Sequence, residues 1–379
     1  MLTAERNEKM NPKVSIILPT YNGKKYIRES IDSILKQSFT DWELIVVDDC
    51  STDGTAEILK EYASLDKRIF VVHNEINQKL PRSLNIGFSR ARGKYLTWTS
   101  DDNRYLPDAL KVMVEYLDKN AEAMIVRSNY LFIDAQGCIV GKSTKYSDHS
   151  MYAFNCFGAC FLYKREIPAQ IGGYNVDAFG VEDYDYWLRI LEKFGKIASL
   201  DEELYEYRRH EGSLSEGKRH MVLCELARLR ERYKEKILKE LQNDTAEACR
   251  IYYEMLPIET FGKEIRNDFR NLCAELKGDL GYTDRKPFII FGAGIYGERA
   301  AGLLGDKAIY FVDNDPGKVG KRKCGKKILS FEAAVKLSDR YDFFIAIYPS
   351  YIYEIRKQLN DAGVPEYTTL QSYMADMKD

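Results

Sequence analysis

Two acidic pairs give the first chemical signal in the chain. Asp48 and Asp49 close the apolar run WELIVVDD, and Asp101 and Asp102 follow the run YLTWTS. In an open parallel sheet, ligands bind beyond the carboxyl ends of the strands, so two such pairs point to one cleft. Carboxylates brought together repel, and the cleft calls for a cation. Hard carboxylate oxygens suit Mg²⁺ or Mn²⁺, metals that bridge the phosphates of nucleotide ligands. Read alone, the stretch DDCSTDG at 48–54 is equally a turn and a helix cap. Recurrence on alternate strand–helix units is what favours a site.

A third acid stands apart from these. Tyr184, Trp187, Leu188 and Leu191 make one helical stripe, which puts Asp183 in the first turn of that helix. Free N–H groups and the helix dipole stabilise a carboxylate there, and Glu182 is its nearest rival. Near the other end of the chain, Gly292, Gly294 and Gly297 have the dinucleotide-binding spacing, follow a strand-like run and open a helix. Asp313 comes 21 residues after Gly292, where a ribose-binding acid is expected.

The elements that must hold these residues alternate. VSIILPT (14–20), WELIVVDD (42–49), IFVVH (69–73) and YLTWTS (95–100) are strand-like. Helical spacing separates them, with Ile27, Ile31, Ile34 and Leu35 on one stripe, residues 53–65 and 84–91 on others, and Pro107 opening a further helix. Such units imply a mainly parallel sheet with right-handed crossovers. Residues 216–280 change character, rich in Glu, Lys, Arg, Leu and Ala, with Leu223, Leu226, Leu229 and Tyr233 at helical spacing and a break near Pro257. From Lys286 the alternation resumes. The expected organisation is an α/β catalytic domain at 12–213, a helical linker region at 214–284 and a small Rossmann-like α/β domain at 285–379. That last stretch has room for half of a full dinucleotide-binding domain. Accessory or structural use is therefore expected over NAD(P) chemistry, and the Tyr353–Lys357 spacing of a dehydrogenase dyad is expected by chance.

Bulk composition excludes several classes. Lys plus Arg (56) nearly balance Asp plus Glu (58), so nothing electrostatic argues for nucleic acid. The eight Cys form no paired C-x-x-C and only four His are present, which disfavours a zinc site and fits free thiols. The first residues are polar and the apolar runs are strand-sized, so a cytoplasmic protein is expected, at most peripheral on the inner face of the membrane.

The segments VSIILPTYNGKKYIRESIDSILKQSFTDWELIVVDDCSTDGT, LNIGFSRARGKYLTWTSDDNRYLPDAL, GACFLYKREIPAQIGGYN, EDYDYWLR and YRRHEGSLS follow one another over a little more than half of the chain. In that order they resemble the family-2 glycosyltransferases, whose fold is the GT-A nucleotide-diphospho-sugar transferase fold. The resemblance implies roles residue by residue. Pro19 and Tyr21 would line the nucleobase and ribose, Asp49 would bind the base (usually uracil), and Asn85 would contact the nucleotide-sugar. Asp101 and Asp102 match the metal and ribose motif, usually Asp-x-Asp-Asp and here Thr99-Ser100-Asp101-Asp102, so either acid could be the direct metal ligand. Asp183 matches the catalytic base. Arg208, Arg209 and His210 match a segment that meets the leaving diphosphate, the His sometimes binding the metal.

The implied activity is metal-dependent inverting transfer, with Mn²⁺ or Mg²⁺, from a nucleotide diphosphate-sugar (UDP-sugar first) to a hydroxyl. A glycan, lipid-linked or protein-linked acceptor in cell-surface glycan or polysaccharide biosynthesis is implied, and the helical bridge is a candidate homodimer surface. One alternative is an NAD(P)-dependent oxidoreductase or epimerase acting through the C-terminal unit. Another is a nucleotide-binding scaffold without turnover.

Overall fold

A computed structural model describes residues 11–143, 150–153, 155, 157–210, 212–214, 219–243, 286–347, 352–364 and 367–369. The expected break near Pro257 and the Tyr353 side chain lie outside what is described. The chain divides into two compact units with the main boundary between Glu225 and Leu226. Among the described residues, no helix is long and apolar enough to cross a membrane.

In the first unit the elements run β1 (Val14–Thr20), α1 (Ile27–Leu35), β2 (Trp42–Asp48), α2 (Thr55–Leu65), β3 (Ile69–His73), α3 (Leu80–Arg90), β4 (Tyr95–Trp98), β5 (Arg104–Tyr105) and α4 (Ala109–Lys119). They continue with β6 (Ile125–Ile133), β7 (Ile139–Lys142), a short α5 (Ser150–Ala153), β8 (Phe161–Lys164), α6 (Glu166–Ile171), α7 (Glu182–Phe194) and β9 (Ala198–Arg208). The strand order is β3-β2-β1-β4-β8-β6-β9-β5, with β7 beside β6. The first four strands are mutually parallel, β8 runs against both its neighbours, and β6 is parallel to β9. Every residue of β1 and β2 is buried, as a parallel sheet covered on both faces requires. Register places Thr20 beside Asp48 and Asp48 beside His73, so the polar ends of three strands form one edge.

Helix α1 shows why the sheet is covered. Ile27, Ile31 and Ile34 enter a core with Leu44, Val46, Leu110 and Met113, while Arg28 and Glu29 face out. Each of these buried aliphatic side chains contributes roughly 1.5–3 kcal/mol. Helix α7 is fixed by aromatic rings instead. Trp187 stacks on Phe157 at 3.9 Å and Tyr186 on Tyr174 at 4.2 Å. Burial there extends beyond the expected stripe to Tyr186 and Ile190. Trp98, at the end of β4, donates its indole N–H to the Tyr174 hydroxyl at 2.9 Å, which ties α7 to the strand that leads to Asp101.

Helices α8 (Arg219–Arg232) and α9 (Lys234–Asn243) occupy the start of the stretch read as helical. The second unit's sheet begins with β10 (Phe288–Phe291), followed by α10 (Ile295–Leu304), β11 (Ala308–Val312), β12 (Arg322–Lys323) and β13 (Lys326–Leu329). It ends with α11 (Phe331–Val335), β14 (Asp342–Ile345), α12 (Ile352–Asp361) and β15 (Tyr367–Thr369). The strand order is β12-β13-β11-β10-β14-β15, parallel except for β12 against β13. The direction of winding reverses between β10 and β14, as in doubly wound sheets. Gly292 has φ of 106°, and a Cβ on it would sit 2.5 Å from the Ala346 carbonyl oxygen. A Cβ on Gly297 would overlap the Gly292 carbonyl. Two of the three glycines are thus demanded by close backbone approach, whereas Gly294 faces open space.

Candidate active site

The acidic pair after β4 sits where β1, the loop that follows it and the end of β9 meet. Thr20 donates its hydroxyl to Asp101 Oδ2, and its carbonyl accepts the Asp49 amide at 2.8 Å. One residue therefore joins the two acidic pairs. Gly23 passes so near that a Cβ would collide with both the Asp101 carboxylate and the Thr20 hydroxyl. Burial, and after it the charge of Asp102, push the Asp101 carboxyl up to about 7. Asp102 is gripped twice from the end of β9. Its carbonyl accepts Arg208 Nε at 2.8 Å, and its Oδ2 lies 3.0 Å from His210 Nε2. The His210 ring in turn rests against Tyr26, centroids 5.0 Å apart.

Thr99, which stands where the family motif usually has its first acid, is 1% exposed, and its hydroxyl lies 2.6 Å from that of Tyr205. Its side chain pairs inside the fold and not in the cleft. The departure from Asp-x-Asp-Asp thus falls at a position that leaves Asp101 and Asp102 in place.

The first acidic pair organises loops. Asp48 accepts the Ser51 amide at 3.1 Å and lies 3.0 Å from His73 Nδ1. Asp49, 4% exposed, accepts the Gln78 amide at 2.7 Å, the Lys79 amide at 2.9 Å and the Asn74 side chain at 2.8 Å. It straps the 74–79 loop over the end of β2, a role that spacing alone does not reveal. Tyr21 is 53% exposed at the same edge, while Pro19 is buried within β1 beside Val47.

Two residues matched to donor contacts have other partners. Asn85 both accepts from the Tyr174 amide and donates to the Tyr174 carbonyl, each at 2.8 Å, and so braces the segment before α7. Arg208 has a fully buried side chain whose donors reach Glu29, Asp102, Asp134 and Ala135. Arg209 is half-buried with its guanidinium 5.7 Å from the Phe132 ring centroid.

Asp183 lies in the first turn of α7, as the stripe predicts. Its Oδ1 accepts the Tyr184 amide at 2.6 Å and its Oδ2 accepts Asn155 Nδ2 at 3.0 Å. Burial raises its carboxyl, against the pull of those two donors. Glu182 is more deeply buried at 4% exposure, accepts the Gly180 amide at 2.6 Å, and is pushed up to about 8 by burial and by the charge of Asp183. The folded chain therefore keeps a proton on Glu182 that the unfolded chain releases above its ordinary value of 4.5. Stability from this group is full below that value and is lost as pH rises through about 8. Melting temperature is expected to fall across that window, and Glu182→Gln is expected to make the decline shallower. An unchanged slope in a pH series of thermal melts would refute the burial argument.

In the second unit, Asp313 is already engaged. It accepts the Ala293 amide at 2.8 Å, the Asp315 amide at 2.9 Å and Lys318 Nζ at 3.1 Å. Burial opposes its charge, but these donors outweigh burial and hold it below the usual carboxylate range. The expected ribose acid thus latches the glycine turn to the end of β11.

Thr20, Gly23, Tyr26, Glu29 and Asn155 all touch this machinery and none was singled out by sequence. Thr20 and Gly23 lie in the matched PTYNG segment, where a signal existed. Glu29, on the exposed side of α1, gives none.

The model for glycosyl transferase family 2 matches residues 15–171. The putative teichuronic acid biosynthesis glycosyltransferase TuaG of Bacillus subtilis (strain 168) is 32% identical over 212 residues, covering 55% of this chain and 83% of that protein. The putative glycosyltransferase EpsE of the same organism is 34% identical over 212 residues, covering 52% and 73%. The crystal structure of S. aureus TarS 1-349 in complex with UDP-GlcNAc superposes with a TM-score of 0.51 at 19% identity, covering 69% of this chain and 80% of that one. Its likeness supports the fold, and the identity to TuaG and EpsE over most of their length supports the enzyme. With its acids at the carboxyl edge of a GT-A-like sheet, the chain belongs to the family-2 glycosyltransferases.

Proposed function

We propose that the enzyme is a divalent-metal-dependent, inverting transferase that moves a sugar from a nucleotide diphosphate-sugar, UDP-linked in the first instance, to an acceptor hydroxyl. The observation that carries this reading is the Asp101–Asp102 pair, held by Thr20 on one side and by Arg208 and His210 on the other. Among the described residues no three His, Cys, Asp or Glu side chains close a metal cage. A pair of hard carboxylates with positions left for phosphate oxygens is the donor set that Mg²⁺ or Mn²⁺ takes when shared with a substrate. The residues present therefore fit such a cation, with Asp101 and Asp102 as its holders and His210 beside them. Charge neutralisation of the departing diphosphate is the chemistry a cation there supplies when bound.

The protein's own residues account for the rest. The exposed Tyr21 ring offers a face to the nucleobase at the sheet edge. Asp183 accepts the proton of the acceptor hydroxyl as its oxygen bonds to the anomeric carbon. The bond from that carbon to the diphosphate breaks on the opposite face, so configuration inverts. TuaG is named for teichuronic acid biosynthesis, which supports polysaccharide as the acceptor class. The C-terminal unit is assigned an accessory or structural role, since Asp313 is engaged within its own turn.

Calorimetric titration of UDP, GDP, dTDP and NAD⁺, with and without Mn²⁺, tests the reading. One nucleotide diphosphate is expected to bind at least about tenfold more tightly with Mn²⁺, and Asp102→Asn is expected to remove that gain. Binding indifferent to metal and to Asp102 would overturn it. NAD⁺ binding alone would move the chemistry to the second unit.

A further inference from the structure

We propose that Glu29, on α1, is a positioning residue for the acidic pair, acting through the buried guanidinium of Arg208. The proposal rests on the metal-dependent reading above. Arg208 has 0% of its side chain exposed, and Glu29 is the carboxylate that faces it, Nη2 donating to Oε2 at 2.6 Å. Its other donors go to carbonyls, Nε to Asp102 at 2.8 Å and Nη1 to Asp134 at 3.2 Å and Ala135 at 3.4 Å. A guanidinium removed from water is held in one place only if its charge is matched and its N–H groups are paired. Glu29 supplies the charge, and three carbonyls fix the plane.

The geometry makes this pairing more than a fold contact. Arg208 sets the height of the Asp102 main chain, and His210, two residues on, sets the direction of the Asp102 carboxylate. The Arg208 amide also donates to Asn103 Oδ1 at 2.7 Å, so the residue after Asp102 is pinned too. Tyr26 closes the arrangement from beneath, its ring 4.4 Å from the Arg208 guanidinium and its hydroxyl donating to the Ala135 carbonyl at 3.2 Å. Glu29 reaches the acidic pair only through Arg208. The same Oε2 accepts Arg104 Nη1 at 3.0 Å, while Arg104 Nε is held by Glu206 at 2.6 Å. Arg104 thus shares Glu29 and its partners include no atom of Asp102, which makes it the internal control.

Outer-sphere partners of metal-binding side chains typically change metal affinity by about 10- to 100-fold when removed. Glu29→Gln is expected to weaken Mn²⁺-dependent UDP binding by at least about tenfold, leaving metal-free UDP binding unchanged. Arg104→Lys is expected to bind as wild type. The double variant Glu29→Gln/Arg208→Met removes both charges and should regain any lost melting temperature without regaining Mn²⁺-dependent affinity. Should Glu29→Gln not fold, Glu29→Asp, which keeps the charge and loses the reach, has the same expected result.

Wild-type Mn²⁺ dependence in Glu29→Gln would overturn the positioning role. So would an equal loss in Arg104→Lys, or affinity that returns with melting temperature in the double variant. If the wild-type protein itself shows no metal-dependent binding, the functional reading fails and this proposal falls with it.

Discussion

Asp183→Asn is expected to give a folded protein that binds nucleotide diphosphate as wild type does and transfers sugar about 10²- to 10⁴-fold more slowly. The substitution is nearly isosteric. Its Oδ1 can still accept the Tyr184 amide, and α7 is held by Trp187 on Phe157 and Tyr186 on Tyr174, contacts the change does not reach. What is lost is the site that receives the acceptor's proton, together with the acceptor of Asn155 Nδ2. Burial raises the Asp183 carboxyl, which makes it a stronger base than an exposed aspartate. Glu182 competes poorly for the role, since at about 8 it already carries a proton near neutrality. The two carboxyls titrate as a pair, so the acid limb of the rate profile reports the pair and should lie above the ordinary aspartate range. Release of nucleotide diphosphate in the presence of acceptor measures it. Full activity in Asp183→Asn together with loss in Glu182→Gln would transfer the base to Glu182.

The readings that succeeded concern properties a segment carries within itself. Apolar runs such as VSIILPT and WELIVVD must be buried wherever they pair, and the helical stripes between them fix the parallel crossovers, so β1 to β4 and their carboxyl edge were legible. The far half of the sheet was not. β8 runs antiparallel between β4 and β6, and β6 has two register shifts against β9, features set by partners distant in sequence. The same limit applies to polar side chains. Asp183 could be placed because a first-turn position follows from local spacing. The partners of Asn85 and Arg208 could not be read, because Tyr174 and Glu29 are brought to them only by the fold. Thr99 shows the reverse case, where a departure from the family motif becomes intelligible once Tyr205 is found beside it.

A second large effect is expected at the opposite ends of the same strands, where Glu43→Ala should destabilise the first unit by ~3–5 kcal/mol. Glu43 is 2% exposed near the start of β2. It accepts the Ser15 hydroxyl at 2.7 Å, the Arg92 amide at 2.7 Å, and Arg92 Nε and Nη2 at 3.1 and 3.0 Å. Ser15 Oγ in turn accepts the Gly93 amide at 2.7 Å, and a Cβ on Gly93 would come within 2.5 Å of the Ser15 nitrogen. Truncation leaves the Ser15 hydroxyl short of an acceptor inside a tight turn and the Arg92 amide with only Ser15 Oγ, at 3.1 Å. The Arg92 side chain is 27% exposed and can turn to water, which places the expected loss toward the lower figure. Glu43→Gln keeps an acceptor and should lose about 1–2 kcal/mol. Denaturant unfolding followed by a probe in the first unit measures both, with each unit fitted as its own transition.

Five residue steps along extended β2 separate Glu43 from Asp48, roughly 16 Å at the usual rise. Nucleotide affinity at low temperature should therefore match wild type. A loss of affinity in a variant that stays folded would show that the amino-end cluster sets the geometry of the acidic edge. A stability loss below about 1 kcal/mol would show that water replaces the carboxylate at little cost.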